Sequence, residues 1–523
     1  MTTGQAKAAL ACGHPETARA MAEILADGGT AFDAIVAGFA MACVVEPVLA
    51  SLGGGGFLLA RPADQPCRFY DFFVDTPRAR RPVSEIDFFP VTADFGPDTQ
   101  EFHVGFGAAA TPGAPAGLIK VHEELASMPL PRLLAPAQAA AEHGFQLTAL
   151  DAYLLTVVAP IFTSSAATRD LFTHDGDSQL LAEGDRLVQP QLATALARLT
   201  HEGARPFYHG DWGEKLTRDS RQRGGLLTRD DLVNYRVRTG PPLTLNYRAA
   251  RLTTAPLPST GGPLIAFALS LLAEGPALGA DAQSCCRLSA AMALTNRARQ
   301  SSGLSRAEGA AELESALAQL ADPARLAHAL RELADLPATA RGTTHLSALD
   351  RAGNAASLTL SNGEGSGVFV GDSGIHLNNM LGEEDLNPRG FNAWPCGVRL
   401  GSMMAPSLLL LDDGQEVVLG SGGSNRIRSA LLQVILNLVD HRLSLEAAVA
   451  APRLHVEQGK LHVEEPRSEA LLAALTALPC LHSHKVWPGR NLFFGGAHCV
   501  AQDRRGGFSA SGDVRRNGQA RVV

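Results

Sequence analysis

A mixed α/β fold is predicted for this chain by three observations. Nearly half of its 523 residues are hydrophobic (46%), enough to bury a large core. Apolar stretches of helical period recur, from Thr17 to Ala26, from Ala31 to Val45 and from Arg426 to His441. Between them stand short apolar runs bounded by glycine-rich turns, which read as strands: Phe57-Leu58-Leu59, Thr343 to Leu349, Ala355 to Leu360, Leu408 to Leu411 and Val417 to Leu419.

Taken in order, the first helix ends at Gly28-Gly29, and the second opens with Thr30 and Asp33 in a capping-box arrangement. That second helix is apolar nearly all round, so it is expected to be buried until Glu46-Pro47 stops it. Gly53-Gly54-Gly55-Gly56 then lead into a strand. Phosphate loops run from strand to helix and end in Gly-Lys-Ser/Thr, so close approach of two backbones is the better reason for these glycines. Thr228 to Asp231 is another capping-box start, and Pro256 to Gly262 a loop before a helix. From about Leu288 to Thr339 the chain is rich in Ala, Leu, Glu and Arg and reads as helices broken near Gly303 and Pro323.

Composition narrows the function. The net charge is −8, and the densest basic cluster, Arg78-Ala79-Arg80-Arg81, suits a short exposed loop, so no nucleic-acid partner is expected. Eight cysteines are scattered without a C-x-x-C pair and read as reduced, mostly buried thiols. His482-Ser483-His484 has no further ligand at metal spacing, so a strand or loop with solvated histidines is expected, and neither metal nor cofactor. The first residues lack a charged head followed by an apolar run, and no stretch approaches the ~18 uninterrupted apolar residues of a membrane span. A cytoplasmic protein without a membrane partner is the expectation.

The chemistry centres on Gly342-Thr343-Thr344-His345-Leu346-Ser347. The ordinary reading of the threonine pair is two β-formers entering a strand, followed by a turn at Ala352-Gly353-Asn354, a returning strand, and a third at Val368-Phe369-Val370. A cut between Gly342 and Thr343 would change its meaning. A threonine at a new terminus carries an α-amine of pKa roughly 7.7–8.0 beside its hydroxyl, so one residue supplies nucleophile and base. Self-cleavage would proceed by attack of the Thr343 hydroxyl on the Gly342 carbonyl, and a glycine before the cut is read as allowing a strained backbone. Further on, Gly420 to Asn425 forms a glycine-rich turn feeding a helix, whose unpaired N–H groups suit a developing oxyanion; a purely structural turn is the alternative.

These motifs, with Gly365-Ser366-Gly367 and Gly374-Ile375-His376-Leu377-Asn378-Asn379, resemble the γ-glutamyltransferases (γ-glutamyltranspeptidases) of the N-terminal nucleophile hydrolases. Gly13-His14-Pro15 through Leu59, with Glu46-Pro47 and Gly53 to Phe57, is similar to the opening of that family, and the likeness covers nearly all of the chain except the segment before the cut. The resemblance implies a four-layer αββα sandwich made as one precursor, with a large fragment 1–342, a variable helical linker at about 288–342, and a small fragment 343–523 held with it as a heterodimer. It implies Thr343 as the self-processing nucleophile, Ser361 as the hydroxyl that orients the amine, and Gly423 and Ser424, with Gly422 before them, as the oxyanion turn. Asn362 is implied at the acyl group, Ser402 at the substrate carboxylate, and Glu383 with Glu384 at the substrate ammonium.

This chain also departs from the family pattern. Ser424 replaces the second glycine of a pair, Gly401 the first serine of a pair, and Met380 stands where Gln or Glu is usual. The family's carboxylate-gripping Arg falls at Phe73, in Asp71-Phe72-Phe73, and a phenyl ring cannot replace a bidentate guanidinium. Arg78, Arg80 and Arg81 in the following loop are the candidates to compensate. Asp513 with Arg515 and Arg516 matches the family's closing segment, where a surface ion pair or a packing role is expected. The resulting expectation is acyl transfer from γ-glutamyl amides, such as glutathione-like peptides, to water or an amine. An acylase of another specificity and a non-catalytic binding protein are the alternatives.

Overall fold

The computed structural model describes residues 6–94, 99–174, 179–301, 342–387 and 389–523. Two antiparallel sheets organise it. The seven-stranded sheet runs in the order Gln519–Val522, Ala8–Cys12, Thr344–Asp350, Ala355–Ser361, Gly55–Arg61, Arg68–Asp71, Arg238–Gly240. The six-stranded sheet runs Phe508–Ser511, Gly496–Gln502, Glu416–Gly422, Ser407–Leu410, Ala250–Thr254, Leu243–Tyr247. Both sheets take strands from both sides of Gly342: they are interleaved in the seven-stranded sheet, and in the six-stranded one Ala250–Thr254 pairs with Ser407–Leu410.

The alternation of side chains along each strand builds two cores. Leu10, Leu58, Ala60, Leu346 and Leu358 join a cluster with the helices Pro15–Ala26, Ala31–Val45 and Leu130–His143. Their neighbours Ala9, Ala11, Phe57 and Leu59 face the other way, into a cluster with Val417, Leu419, Val500 and the helices Gly261–Ala273 and Arg426–Val439. Helices therefore cover the outer face of each sheet and the sheets pack on each other, the expected four-layer αββα sandwich. Hydroxyls stitch the two sheets: Ser347 Oγ donates to the His498 carbonyl (2.9 Å) and Ser357 Oγ to the Leu419 carbonyl (3.0 Å).

Most elements follow the sequence. Every residue of the helix Ala31–Val45 is buried, and the Thr30–Asp33 capping box is formed. The four glycines lie against main chain: a Cβ on Gly53 would sit 2.1 Å from the His376 carbonyl oxygen, on Gly54 2.4 Å from that of Ser361, and on Gly56 2.5 Å from that of Thr359. Two expectations need correction. Val368 to Val370 is not a strand; the turns around it leave a single bridge between Phe369 and His376. The helix Ala282–Ser301 runs through the point where the linker was expected to begin, and the predicted breaks at Gly303 and Pro323 lie outside the described residues. His482 and His484 are exposed at and beside the strand Ser483–Trp487. No helix among the described residues is long and apolar enough to cross a membrane.

Candidate active site

Thr343 immediately precedes the strand Thr344–Asp350 and is buried. That strand is held from behind by His345, whose ring nitrogens meet Thr359 Oγ1 (2.8 Å) and Ser347 Oγ (3.0 Å). Burial drives the His345 pKa well down, so it is a neutral structural bridge. Ser361 ends the neighbouring strand, Ala355–Ser361, and the register of the pair, with Thr344 opposite Leu360, brings its hydroxyl back to Thr343.

Two hydroxyls converge on one carbonyl. Thr343 Oγ1 donates to the Gly342 oxygen at 2.7 Å and Ser361 Oγ donates to the same oxygen at 2.8 Å, with the two hydroxyl oxygens 3.5 Å apart. Ser361 Oγ in turn accepts from the Gly363 N–H (3.2 Å). The Gly342 N–H donates to Glu364 Oε1 at 2.9 Å. Glycine is required at 342 for want of space: a Cβ would lie 2.4 Å from the Gly363 carbonyl oxygen and 2.7 Å from that of Val48. The expected strained backbone is not the reason, because its φ lies outside the left-handed region.

The other sheet supplies the turn. Its strand continues through Gly422, and a Cβ there would fall 2.1 Å from the Thr343 carbonyl oxygen. Gly423 and Ser424 follow with φ of 123° and 53°, before Asn425 caps the helix Arg426–Val439. Their two N–H groups have no acceptor among the described residues, whereas the Arg426 N–H is taken by the Gly423 carbonyl (3.1 Å). Main-chain donors beside a helix N-terminus suit an oxyanion. Serine in the left-handed region is disfavoured where glycine is not, which accounts for the family's usual glycine.

A cavity of about 570 Å³ opens onto Thr343, Ser361 and Ser424. Its apolar wall includes Phe73, Met380, Leu400, Met403, Met404 and Ile427, and Glu383, Asp385, Gly401 and Ser402 also line it. Of the residues expected to bind substrate, Glu383 and Ser402 line this cavity. Glu384 does not: it is exposed and outside the lining, and Asp385 faces the cavity instead, because consecutive residues of the tight turn Glu384–Leu386 point in different directions. Asn362 is fully buried beneath Gly54 and outside the lining; its amide oxygen and nitrogen have no hydrogen-bond partner among the described residues.

None of the loop arginines Arg78, Arg80 and Arg81 lines the cavity beside Phe73, although Arg78 packs against Gly397 at its edge. Arg80 donates to the Asn392 and Trp394 carbonyls and Arg81 to that of Arg221. The buried cation beside Phe73 is Arg399, which sequence reading missed. Its Nε meets Asp75 Oδ1 (2.6 Å), Nη1 meets Asp71, Nη2 meets the Arg236 carbonyl (2.8 Å), and its guanidinium lies 5.0 Å from the Tyr235 ring centre. Every nitrogen of Arg399 is thus used within the protein. A lone Arg in the apolar run Val398-Arg399-Leu400 was the available signal.

A charged layer behind Thr343 was also missed. Glu46 is buried, with Thr344, His14, Asp151 and Arg516 as its electrostatic neighbours, and burial pushes its pKa up to about 7. Arg516 is buried beneath the Gly422-Gly423 turn, where desolvation lowers its pKa to about 10, still a cation at neutral pH. The Asp513, Arg515 and Arg516 segment is accordingly interior, not a surface ion pair. Asp513 pairs with Arg453 (2.6 Å) and Arg515 (3.1 Å), which offsets the burial of its carboxylate and holds its pKa at about 2.

The chain resembles known proteins along its whole length. The family model for gamma-glutamyltranspeptidase matches residues 17–523. A glutathione hydrolase proenzyme of Escherichia coli is 29% identical over 501 residues, covering 87% of this chain and 82% of that protein. An acylase ACY 1 proenzyme of Pseudomonas sp. is 30% identical over 519 residues, covering 97% and 91%. Among solved structures, the cephalosporin acylase from Bacillus halodurans shares the fold with a TM-score of 0.84 at 22% identity, over 99% of this chain and 96% of that one. With its αββα sandwich of the N-terminal nucleophile hydrolase type, this chain belongs to the gamma-glutamyltranspeptidase family.

Proposed function

We propose that this chain is a self-processing enzyme that cuts itself between Gly342 and Thr343 and then cleaves γ-glutamyl amide bonds through an ester on Thr343. The observation that carries this reading is the convergence of the Thr343 and Ser361 hydroxyls on the Gly342 carbonyl oxygen. In the cut enzyme the Thr343 amine takes the hydroxyl proton, Ser361 orients that amine, and the N–H groups of Gly423 and Ser424 receive the negative charge of the tetrahedral intermediate. The amide nitrogen leaves with a proton. Water then gives hydrolysis and an amine gives transpeptidation. Fragments 1–342 and 343–523 remain together as a heterodimer, since parting them would expose strand edges in both sheets, each of which takes strands from both fragments.

For a γ-glutamyl substrate, Glu383 receives the α-ammonium and Ser402 the α-carboxylate; Asn362, buried outside the cavity, has no part in holding it. The glutathione hydrolase among the relatives supports this substrate class. A second reading, an acylase for acyl groups without an α-carboxylate, is favoured by one observation: Phe73 takes the place of the gripping arginine while Arg399 is saturated by Asp71, Asp75 and a carbonyl. The acylase relative fits it equally. Retained nucleophile geometry speaks against a binding protein without activity.

Turnover of paired chromogenic anilides by the cut enzyme tests these readings. A γ-glutamyl anilide turned over in preference to an acyl anilide without an α-carboxylate is the expected result. The reverse preference replaces it with the acylase, and a correctly cut enzyme inert towards both contradicts the two together.

A further inference from the structure

We propose that Glu364 is a positioning residue for the self-cleavage step, holding the Gly342 peptide so that its carbonyl faces the attacking hydroxyl. This rests on the reading above that the chain cuts itself before Thr343.

Glycine has the widest backbone freedom of any residue, so a Gly342 tethered only through its oxygen could turn that oxygen away from Thr343. Glu364 removes the freedom. Its Oε1 accepts the Gly342 N–H at 2.9 Å, while the carbonyl oxygen of the same residue receives Thr343 Oγ1 and Ser361 Oγ. Gly342 is thereby pinned at both ends, in a slot whose walls are the Gly363 and Val48 carbonyls. The main chain that carries the carboxylate is itself fixed: Glu364 is 1% exposed, its own N–H donates to Asn379 Oδ1 (3.0 Å), and its backbone bridges to Asn362. Its charge acts on the buried Arg516 cation. Preorganisation of this kind favours the one rotamer from which attack can occur.

The step balances without a co-reactant. The Thr343 oxygen bonds to the Gly342 carbonyl carbon, the bond from that carbon to the Thr343 nitrogen breaks, and the hydroxyl proton ends on the freed amine. Water then opens the ester to a Gly342 carboxyl and the Thr343 hydroxyl. Glu364 touches none of the reacting atoms, and its donor departs with Gly342 once the cut is made.

The test is the rate of cutting in freshly purified full-length chains, read as intact mass against time, for wild type, Glu364→Ala, Glu364→Gln and Glu364→Asp. An acceptor at the right place is what the geometry demands. Glu364→Gln should cut within about threefold of wild type, while Glu364→Ala and Glu364→Asp, whose oxygen is withdrawn by roughly one bond length of ~1.5 Å, should be at least about tenfold slower. Gln rescue with Asp failure is an ordering that a merely electrostatic role would not give, and an Asp variant that cuts slowly yet melts with the wild type excludes a packing role. An Asp variant cutting faster than the Gln variant, or an Ala variant cutting at the wild-type rate, overturns the inference while leaving the threonine reading intact. If the Ala variant melts early, the Gln and Asp pair alone decides. A wild type that stays whole overturns both.

Discussion

The two walls that meet at Thr343 are built differently. One is main chain: Gly342 wedged between the Gly363 and Val48 carbonyls, Gly422 against the Thr343 carbonyl, and Gly53 to Gly56 backed onto neighbouring strands. The other is side chain: Phe73, Met380, Leu400, Met403 and Met404 around a cavity of about 570 Å³. Where backbones touch, a single added carbon collides with atoms that cannot move, so that wall has one solution. Side chains around a cavity can be exchanged without disturbing the strands beneath them. The family holds relatives described as a glutathione hydrolase and as an acylase, and in this chain it is the side-chain wall that can be altered to favour one substrate or the other.

Perturbing each wall should give effects of different kinds. The largest is expected for Thr343→Ala, which removes nucleophile and cut site together: turnover of any anilide should fall at least about a thousandfold. Gly422→Ala comes next, because its Cβ would lie 2.1 Å from the Thr343 carbonyl oxygen. It should lower the unfolding free energy by about 3 kcal/mol or more in denaturant melts and leave the chain uncut. A Gly422→Ala protein of wild-type stability that still cuts would mean the main-chain wall is not rigid.

The layer behind that wall predicts a pH dependence. Burial raises the Glu46 pKa from 4.5 to about 7, so the folded state binds its proton more tightly than the unfolded chain. Its contribution to stability is complete below about pH 4.5 and is lost as pH rises through about 7, amounting to about 2 kcal/mol between roughly pH 5 and pH 7.5. His376 and His498, held by burial at about 4, act in the opposite sense and lose stability for the fold as pH falls. Comparing urea melts of wild type and Glu46→Gln across this range isolates the glutamate: the variant should lack the decline. Equal slopes would mean that Glu46 is ionised throughout.

Smaller effects belong to the recognition wall and the turn. Phe73→Arg places a guanidinium near Asp71, whose Oδ2 has no hydrogen-bond partner among the described residues. The ratio of γ-glutamyl to non-glutamyl turnover should rise by about tenfold. Ser424→Gly relieves a left-handed serine with φ of 53°. Thermal melts should show a gain of about 0.5–1 kcal/mol, with turnover within about threefold because main-chain donors are unchanged.

Legibility in the sequence followed the same division. The glycine run, the buried helix Ala31–Val45, the hairpin after Thr343 and the turn at Gly423 were all readable, because local patterns of glycine, caps and apolar period determine them. Arg399 was not: its carboxylate partners Asp71 and Asp75 lie more than three hundred residues away in sequence, and only the folded sheet brings them together. Nor was Glu364, since nothing local indicates that its side chain folds back on Gly342. Glu384 and Asp385 exchanged places because a tight turn changes facing with every residue.

The central claim is that Thr343 is a nucleophile released by its own attack on Gly342. Intact mass under denaturing conditions, on freshly purified wild type beside Thr343→Ala, tests it most directly. Two fragments meeting at Gly342 and Thr343 in the wild type, with one uncut chain in the variant, is the predicted result; a wild type that remains a single chain after prolonged incubation, or a variant that is cut at the same bond, contradicts the account.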